Sequence, residues 1–140
     1  MMTLAPRALT GSFPPLVTPF RNGSVDYESY ARLVDHQIAN GTHGIVVNGT
    51  TSEPTSLTLD ERNRLVKTAV EVAAGRIPIV AQTGSQSHAE TVALTEFANG
   101  AGVDAIMVLT PYFIRAPQRG VVAYFEDIAG RTELPVLMYH

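Results

Sequence analysis

Short continuous apolar runs alternate along the chain with longer stretches of helical periodicity. Ile45-Val46-Val47, Ile77-Pro78-Ile79-Val80-Ala81, Ala105 to Leu109 and Pro135 to Met138 are brief and lack polar alternation. Such runs predict strands buried on both faces of a parallel sheet. Phe13 to Val17 predicts an earlier strand, made irregular by Pro14-Pro15. Between the runs the pattern predicts helices over Tyr27 to Ala39, Leu59 to Ala74, Ala89 to Gly100 and Gln118 to Ala129. Thr58 with Glu61, and Ser87 with Glu90, fit the capping box; Asp26 can cap the first helix, and Pro117 suits a first helical position. Gly41, Gly75, Gly102 and Gly130 follow the helices as stop signals.

The predicted order is β-α-β-α-β-α-β-α-β, with a repeat of roughly thirty residues, the size of one βαβ unit. Polar or small residues gather where the strands end: Thr18, Asn48-Gly49-Thr50-Thr51, Gln82-Thr83-Gly84, Thr110-Pro111-Tyr112 and Tyr139-His140. Parallel α/β folds bind ligands at the carboxyl ends of their strands, so this asymmetry places a candidate site there. Five strands and four helices fit either a five-stranded doubly wound domain or the first part of a (β/α)8 TIM barrel of about 250 residues. A doubly wound domain needs a further helix over its fifth strand, which favours the barrel, with residues 1–10 as an N-terminal extension and 11–140 as the N-terminal portion of one domain.

The turn Val46-Val47-Asn48-Gly49-Thr50-Thr51-Ser52-Glu53 changes abruptly from apolar strand to small hydroxyl residues. Backbone N–H groups and threonine hydroxyls presented together suit a small carboxylate or phosphate. A Gly-Thr turn whose hydroxyls bond their own backbone reads equally well from this stretch alone.

Composition narrows the classes. A hydrophobic content of 45% and a formal charge of −3 are those of a globular enzyme domain and give no basic excess for nucleic acid. No apolar run is long enough to span a membrane, and Met1 to Thr10 has no signal-peptide core, so the expected compartment is the cytoplasm. The sequons at Asn22, Asn40 and Asn48 carry no weight without an export signal. The chain has no cysteine, and His36, His43, His88 and His140 lack metal-ligand spacing, so no metal is expected.

Several motifs together identify a resemblance: Gly11-Ser12 leading to Thr18-Pro19, the Gly49-Thr50-Thr51-Ser52-Glu53 turn, Leu57-Thr58 with Glu61-Arg62, Gly75-Arg76-Ile77-Pro78, Thr110-Pro111-Tyr112, and Leu134-Pro135 with Tyr139. From Gly11 to His140 the chain resembles the dihydrodipicolinate synthase and N-acetylneuraminate lyase family, pyruvate-handling Schiff-base lyases on a (β/α)8 barrel. The resemblance implies a class I pyruvate-dependent aldolase or lyase, with a 2-keto acid such as pyruvate as substrate, no cofactor, and a homodimer or homotetramer. It implies that a lysine on the sixth strand, beyond residue 140, forms the imine. Lys67 sits mid-helix on a solvated face and does not fit that role.

By the same resemblance Thr51 and the N–H of Thr50 hold the substrate carboxylate, Tyr139 transfers protons, Thr50 joins it among the catalytic residues, and Tyr112 and Phe113 line the substrate site. The synthases of that family usually have two tyrosines after Thr-Pro, the second completing a proton relay across a dimer interface; Phe113 has no hydroxyl to give. Ser52 stands where glycine is usual, and Pro54 follows Glu53. Pro54, Leu59 and Arg62 replace part of the polar set that binds lysine in feedback-inhibited members, while Gln86, Glu90 and Tyr112 keep the rest. The alternatives within the family are a 2-keto-3-deoxy sugar acid aldolase or dehydratase, or a hydratase-aldolase. Outside it stand a non-catalytic barrel fragment or anion-binding module, and a receiver-like or flavodoxin-like switch. Receivers need acidic residues and a lysine where this chain has Thr18, Thr83 and Tyr139.

Overall fold

A computed structural model describes residues 9–140, so the expected 1–10 extension lies almost wholly outside the described residues. The first regular feature is a small hairpin that the apolar pattern does not announce: β1 (Phe20–Arg21) pairs antiparallel with β2 (Ser24–Val25). Asn22 and Gly23 join them with φ of 53° and 79°. A two-residue hairpin turn with both φ positive favours Asn-Gly, so the signal was local.

The main sheet holds β3 (Ile45–Val47), β4 (Ile79–Gln82), β5 (Ala105–Leu109) and β6 (Val136–Tyr139), all parallel and in sequential order. The expected strand at Phe13 to Val17 is reduced to one parallel bridge, Pro15 to Val46, with Leu16 N–H donating to Val46 O at 3.2 Å and Val46 N–H to Pro14 O at 3.1 Å. Prolines without N–H groups cannot sustain a longer ladder. That segment lies beside β3 on the edge opposite β4, so the order remains sequential from Phe13 to Tyr139. A doubly wound domain would reverse its order at a switch point.

Four helices connect the strands: α1 (Tyr27–Ala39), α2 (Leu59–Ala73), α3 (His88–Ala101) and α4 (Gln118–Ala129). Consecutive helices pack on one another, α1 on α2, α2 on α3 and α3 on α4, as neighbours in one layer. Each turns its inward side to the sheet: Tyr30 and Val34 on α1, Leu65, Val66, Ala69 and Ala73 on α2, Leu94 and Ala98 on α3, and Ile128 on α4. Ile45, Val47, Ile79, Ile106 and Val108 meet them as the buried core. Burying each such side chain contributes about 1.5–3 kcal/mol, which outweighs the weak propensity of strands three to five residues long.

The helix ends refine the expectations. Thr58 and Glu61 form the complete capping box, with Glu61 N–H donating to Thr58 Oγ1 and Thr58 N–H to Glu61 Oε2. Ser87 makes only half of one: it accepts from Glu90 N–H, but the Glu90 carboxylate instead accepts from Ser85 Oγ at 2.6 Å. Asp26 caps α1 through Ser29 N–H, and these bonds to Ser29 hold its carboxyl below the usual range. Pro117 is the cap of α4, not its first residue. Gly41, Gly75 and Gly102 take the left-handed conformation, whereas Gly130 ends α4 at a right-handed φ of −68°.

Candidate functional site

At the end of β3 the chain turns through Asn48, left-handed at φ 59°, into a single 3-10 turn at Thr50–Ser52. Ser52 N–H donates to Gly49 O, and Glu53 N–H to Thr50 O. Thr50 and Thr51 are the first two residues of that turn, so their N–H groups have no partner within it. Both residues are exposed, and among the described residues neither hydroxyl bonds a protein group. The local reading in which these hydroxyls bond their own backbone is therefore not what forms. Ser52 is different: it is buried, donating Oγ to Leu16 O at 2.6 Å.

A buried polar network supports the turn from below. Asn48 Nδ2 donates to Arg62 O at 3.0 Å, tying the end of β3 to α2. The Arg62 guanidinium, buried on the inward face of α2, donates to Gln82 O at 3.2 Å and Gln82 Oε1 at 3.1 Å, at the end of β4. Burial pulls its pKa below the ordinary value, while Tyr112 and Glu90 oppose that shift; it remains a cation. Asn48 Oδ1 and Arg62 Nε are buried without partners among the described residues.

Above Arg62 opens a cleft of about 770 Å³ whose lining includes Thr50, Gln86, Glu90, Tyr112 and Phe113. Of the expected site residues the cleft gathers Thr50, Tyr112 and Phe113, but neither Thr51 nor Tyr139. Tyr139 ends β6, paired in register with Leu109 and 41% exposed. Thr110 N–H donates to its carbonyl at 3.1 Å. Tyr112 and Phe113 meet edge to face with centroids 5.4 Å apart. Phe113 is 94% exposed and holds φ at 65°, a conformation rare for a bulky residue. Lys67 is exposed and 3.9 Å from Glu71 one turn on, a solvated pair. Among the described residues no group of three or more His, Asp or Glu side chains could hold a metal ion, and no helix is long and apolar enough to cross a membrane.

The role of Asn48, Arg62 and Gln82 as the floor of the turn was not read from the sequence. An arginine on the inward stripe of α2, between Glu61 and Leu65, was the available signal.

A sequential parallel sheet backed by one helix layer, with its polar turns at the carboxyl ends of the strands, defines the N-terminal portion of a (β/α)8 barrel. Comparison with known proteins gives the same class: a 4-hydroxy-tetrahydrodipicolinate synthase structure from Methylacidiphilum fumariolicum SolV superposes with a TM-score of 0.91 at 40% identity, over 94% of this chain and 44% of that one. The chain belongs to the dihydrodipicolinate synthetase family, whose sequence model matches residues 8–140. Among curated relatives, the 4-hydroxy-tetrahydrodipicolinate synthase of Rhodospirillum centenum is 44% identical over 130 residues, covering 93% of this chain. The dihydrodipicolinate synthase of Acinetobacter baumannii, chloride-inhibited and complexed with pyruvate, has a TM-score of 0.89 at 39% identity, over 93% of this chain and 45% of that one. The chain spans about 45% of the length of the Rhodospirillum centenum relative.

Proposed function

We propose that residues 11–140 are the carboxylate-binding and proton-transfer portion of a class I, Schiff-base pyruvate aldolase or lyase. The observation that carries this reading is the 3-10 turn at the end of β3, whose first two residues, Thr50 and Thr51, are exposed with N–H groups free of that turn. A 2-keto acid places its carboxylate against the Thr51 hydroxyl and these N–H groups, which leaves the adjacent keto carbon fixed above the sheet. The Acinetobacter baumannii synthase, to which this chain is similar, is complexed with pyruvate, which fits this chemistry. The amine comes from a lysine outside residues 1–140. It adds to the keto carbon, water leaves, and the protonated imine takes up the electron pair as the bond from its neighbouring carbon breaks; in the reverse direction the resulting enamine gives that pair to the new bond and the imine is restored. Tyr139, at the carboxyl end of β6, carries the proton to and from the reacting oxygen, and Thr50 takes part in the same relay.

Phe113 supports a homodimer or homotetramer in which a second copy covers it. A phenylalanine 94% exposed at φ 65°, next to Ile114 at 63%, costs the isolated chain both strain and wet apolar surface. Phe113 also favours a second reading of the reaction. Without a hydroxyl there, a relay out to solvent lacks its last group, which suits a 2-keto-3-deoxy sugar acid aldolase, dehydratase or hydratase-aldolase better than condensation with aspartate semialdehyde.

Borohydride reduction of the full-length protein with pyruvate tests the main reading: a mass increase of one reduced pyruvate adduct is expected, and its absence refutes it. Tyr139→Phe should lower turnover by about 10²–10⁴-fold while leaving the adduct detectable. Phe113→Tyr should raise condensation with aspartate semialdehyde; wild-type condensation already fast and unchanged by that substitution would favour the synthase over the second reading.

A further inference from the structure

Two buried hydroxyls hold the carboxylate turn from the side opposite Arg62. Ser52 Oγ donates to Leu16 O at 2.6 Å, and Thr18 Oγ1 donates to Ser52 O at 2.8 Å. The two bonds run in opposite directions between the same two segments. Ser52 is 2% exposed and Thr18 6%, so water does not compete for either bond.

The location gives these bonds a purpose. The Leu16 segment pairs with β3 through the single Pro15 to Val46 bridge: Pro14 has no N–H to extend the ladder backward, and Asn48 leaves it at the forward end. A continued parallel ladder would next bring the Asn48 N–H to Leu16 O. Asn48 turns left-handed instead, and the Leu16 carbonyl accepts the Ser52 hydroxyl. Side-chain bonds thus take over where the ladder fails, at the residue directly after Thr50-Thr51. The fit is close here too: a Cβ on Gly49 would lie 3.3 Å from Pro15 Cβ.

We infer that Ser52 and Thr18 are positioning residues, a reciprocal clasp that fixes the Thr50–Thr51 turn against the Leu16–Thr18 segment and so sets how tightly the substrate carboxylate is held. This rests on the reading that Thr50 and Thr51 bind that carboxylate. Serine at position 52 is essential to the clasp, because glycine, usual there in the resembled family, offers no hydroxyl to Leu16 O. The clasp acts on binding, not on proton transfer, since neither hydroxyl is free to reach the substrate while both are spent on backbone oxygens.

The experiment uses the full-length enzyme and four variants, Ser52→Ala, Thr18→Val, Thr18→Ser and Thr51→Val. The readouts are the half-saturating pyruvate concentration for borohydride-trapped imine, the maximal trapping rate, and the melting temperature. Ser52→Ala and Thr18→Val should each raise half-saturation about tenfold with the maximal rate changed less than about threefold. Thr18→Ser should restore the affinity lost in Thr18→Val. Combining Ser52→Ala with Thr18→Val should raise half-saturation by less than the product of the two single effects, as expected of partners in one unit. A fall in melting temperature with half-saturation unchanged in both single variants would overturn the clasp as a positioning device. If Ser52→Ala yields no folded enzyme, the isosteric Thr18→Val decides alone. Thr51→Val separates the two ideas: no change in its half-saturation sinks the carboxylate reading itself, whereas a rise there with none in Ser52→Ala or Thr18→Val sinks only the clasp.

Discussion

Alanine at Gly84 and alanine at Gly100 are the same covalent change with opposite expected signs. Gly84 lies just past β4, where a Cβ would fall 2.4 Å from Leu109 N and 3.0 Å from Leu109 O. Ordinary contact begins at 3.4 Å, so the overlap with backbone is 3.4 − 2.4 = 1.0 Å. Leu109 ends β5 and is held in register with Tyr139 of β6, so relief of the clash moves both strand ends together. Overpacking against groups that cannot rotate away costs about 3 kcal/mol, the upper part of the usual range. Gly100 sits in α3 with nothing within 4 Å of an added Cβ. There alanine meets no clash and removes backbone freedom from the unfolded chain, for a gain of about 0.5–1 kcal/mol. Urea unfolding of the full-length protein, with the slope checked for constancy, reads both values. Because the displaced strand end carries Tyr139, Gly84→Ala should also lower turnover, while Gly100→Ala should not. A Gly84→Ala variant within about 1 kcal/mol of wild type would show that the end of β5 yields freely, and the steric argument would fail.

Three further outcomes are expected. Thr58→Ala removes the complete capping box of α2 and should cost about 1 kcal/mol in the same unfolding assay, more than Ser87→Ala at the half-formed box of α3. The bonds from Arg131 and then His88 hold the Asp127 carboxyl below its usual value, so its contribution to stability is present above the usual carboxylate range and is lost as pH falls through the lowered pKa; Asp127→Asn should flatten that acid limb in a melting-temperature profile. Arg62, Leu59 and Pro54 line the cleft with Gln86, Glu90 and Tyr112, and a buried guanidinium beside an incoming ammonium is unfavourable; micromolar lysine should leave steady-state activity unchanged, and inhibition in that range would contradict this.

The periodicity of apolar residues, read with capping and stop signals, determined the order of elements because each is a local property: α1 and α4 fall where the pattern puts them, and β3 to β6 shift by a residue or two at most. The polar strand ends likewise placed the candidate site at one edge of the sheet before any contact was known. The sequence could not say that Phe13 to Val17 contributes a single bridge, since proline weakens a ladder by an amount that depends on the neighbouring strand. Pattern and resemblance favoured the barrel over a doubly wound sheet, but neither shows which strands pair. That choice lies in strand order, and it was settled by which strands pair and by helices packing on their sequence neighbours. Glu90 illustrates the same limit within one turn: its spacing from Ser87 predicts a capping box, but the Ser85 hydroxyl donates to the carboxylate and Ser87 N–H donates to Ser85 Oγ instead. The buried partners around the Thr50–Ser52 turn, Leu16 with Ser52 and Arg62 with Gln82, are 36 and 20 residues apart. Such contacts have no local period to read, so only the folded chain, by removing water from both partners, decides them.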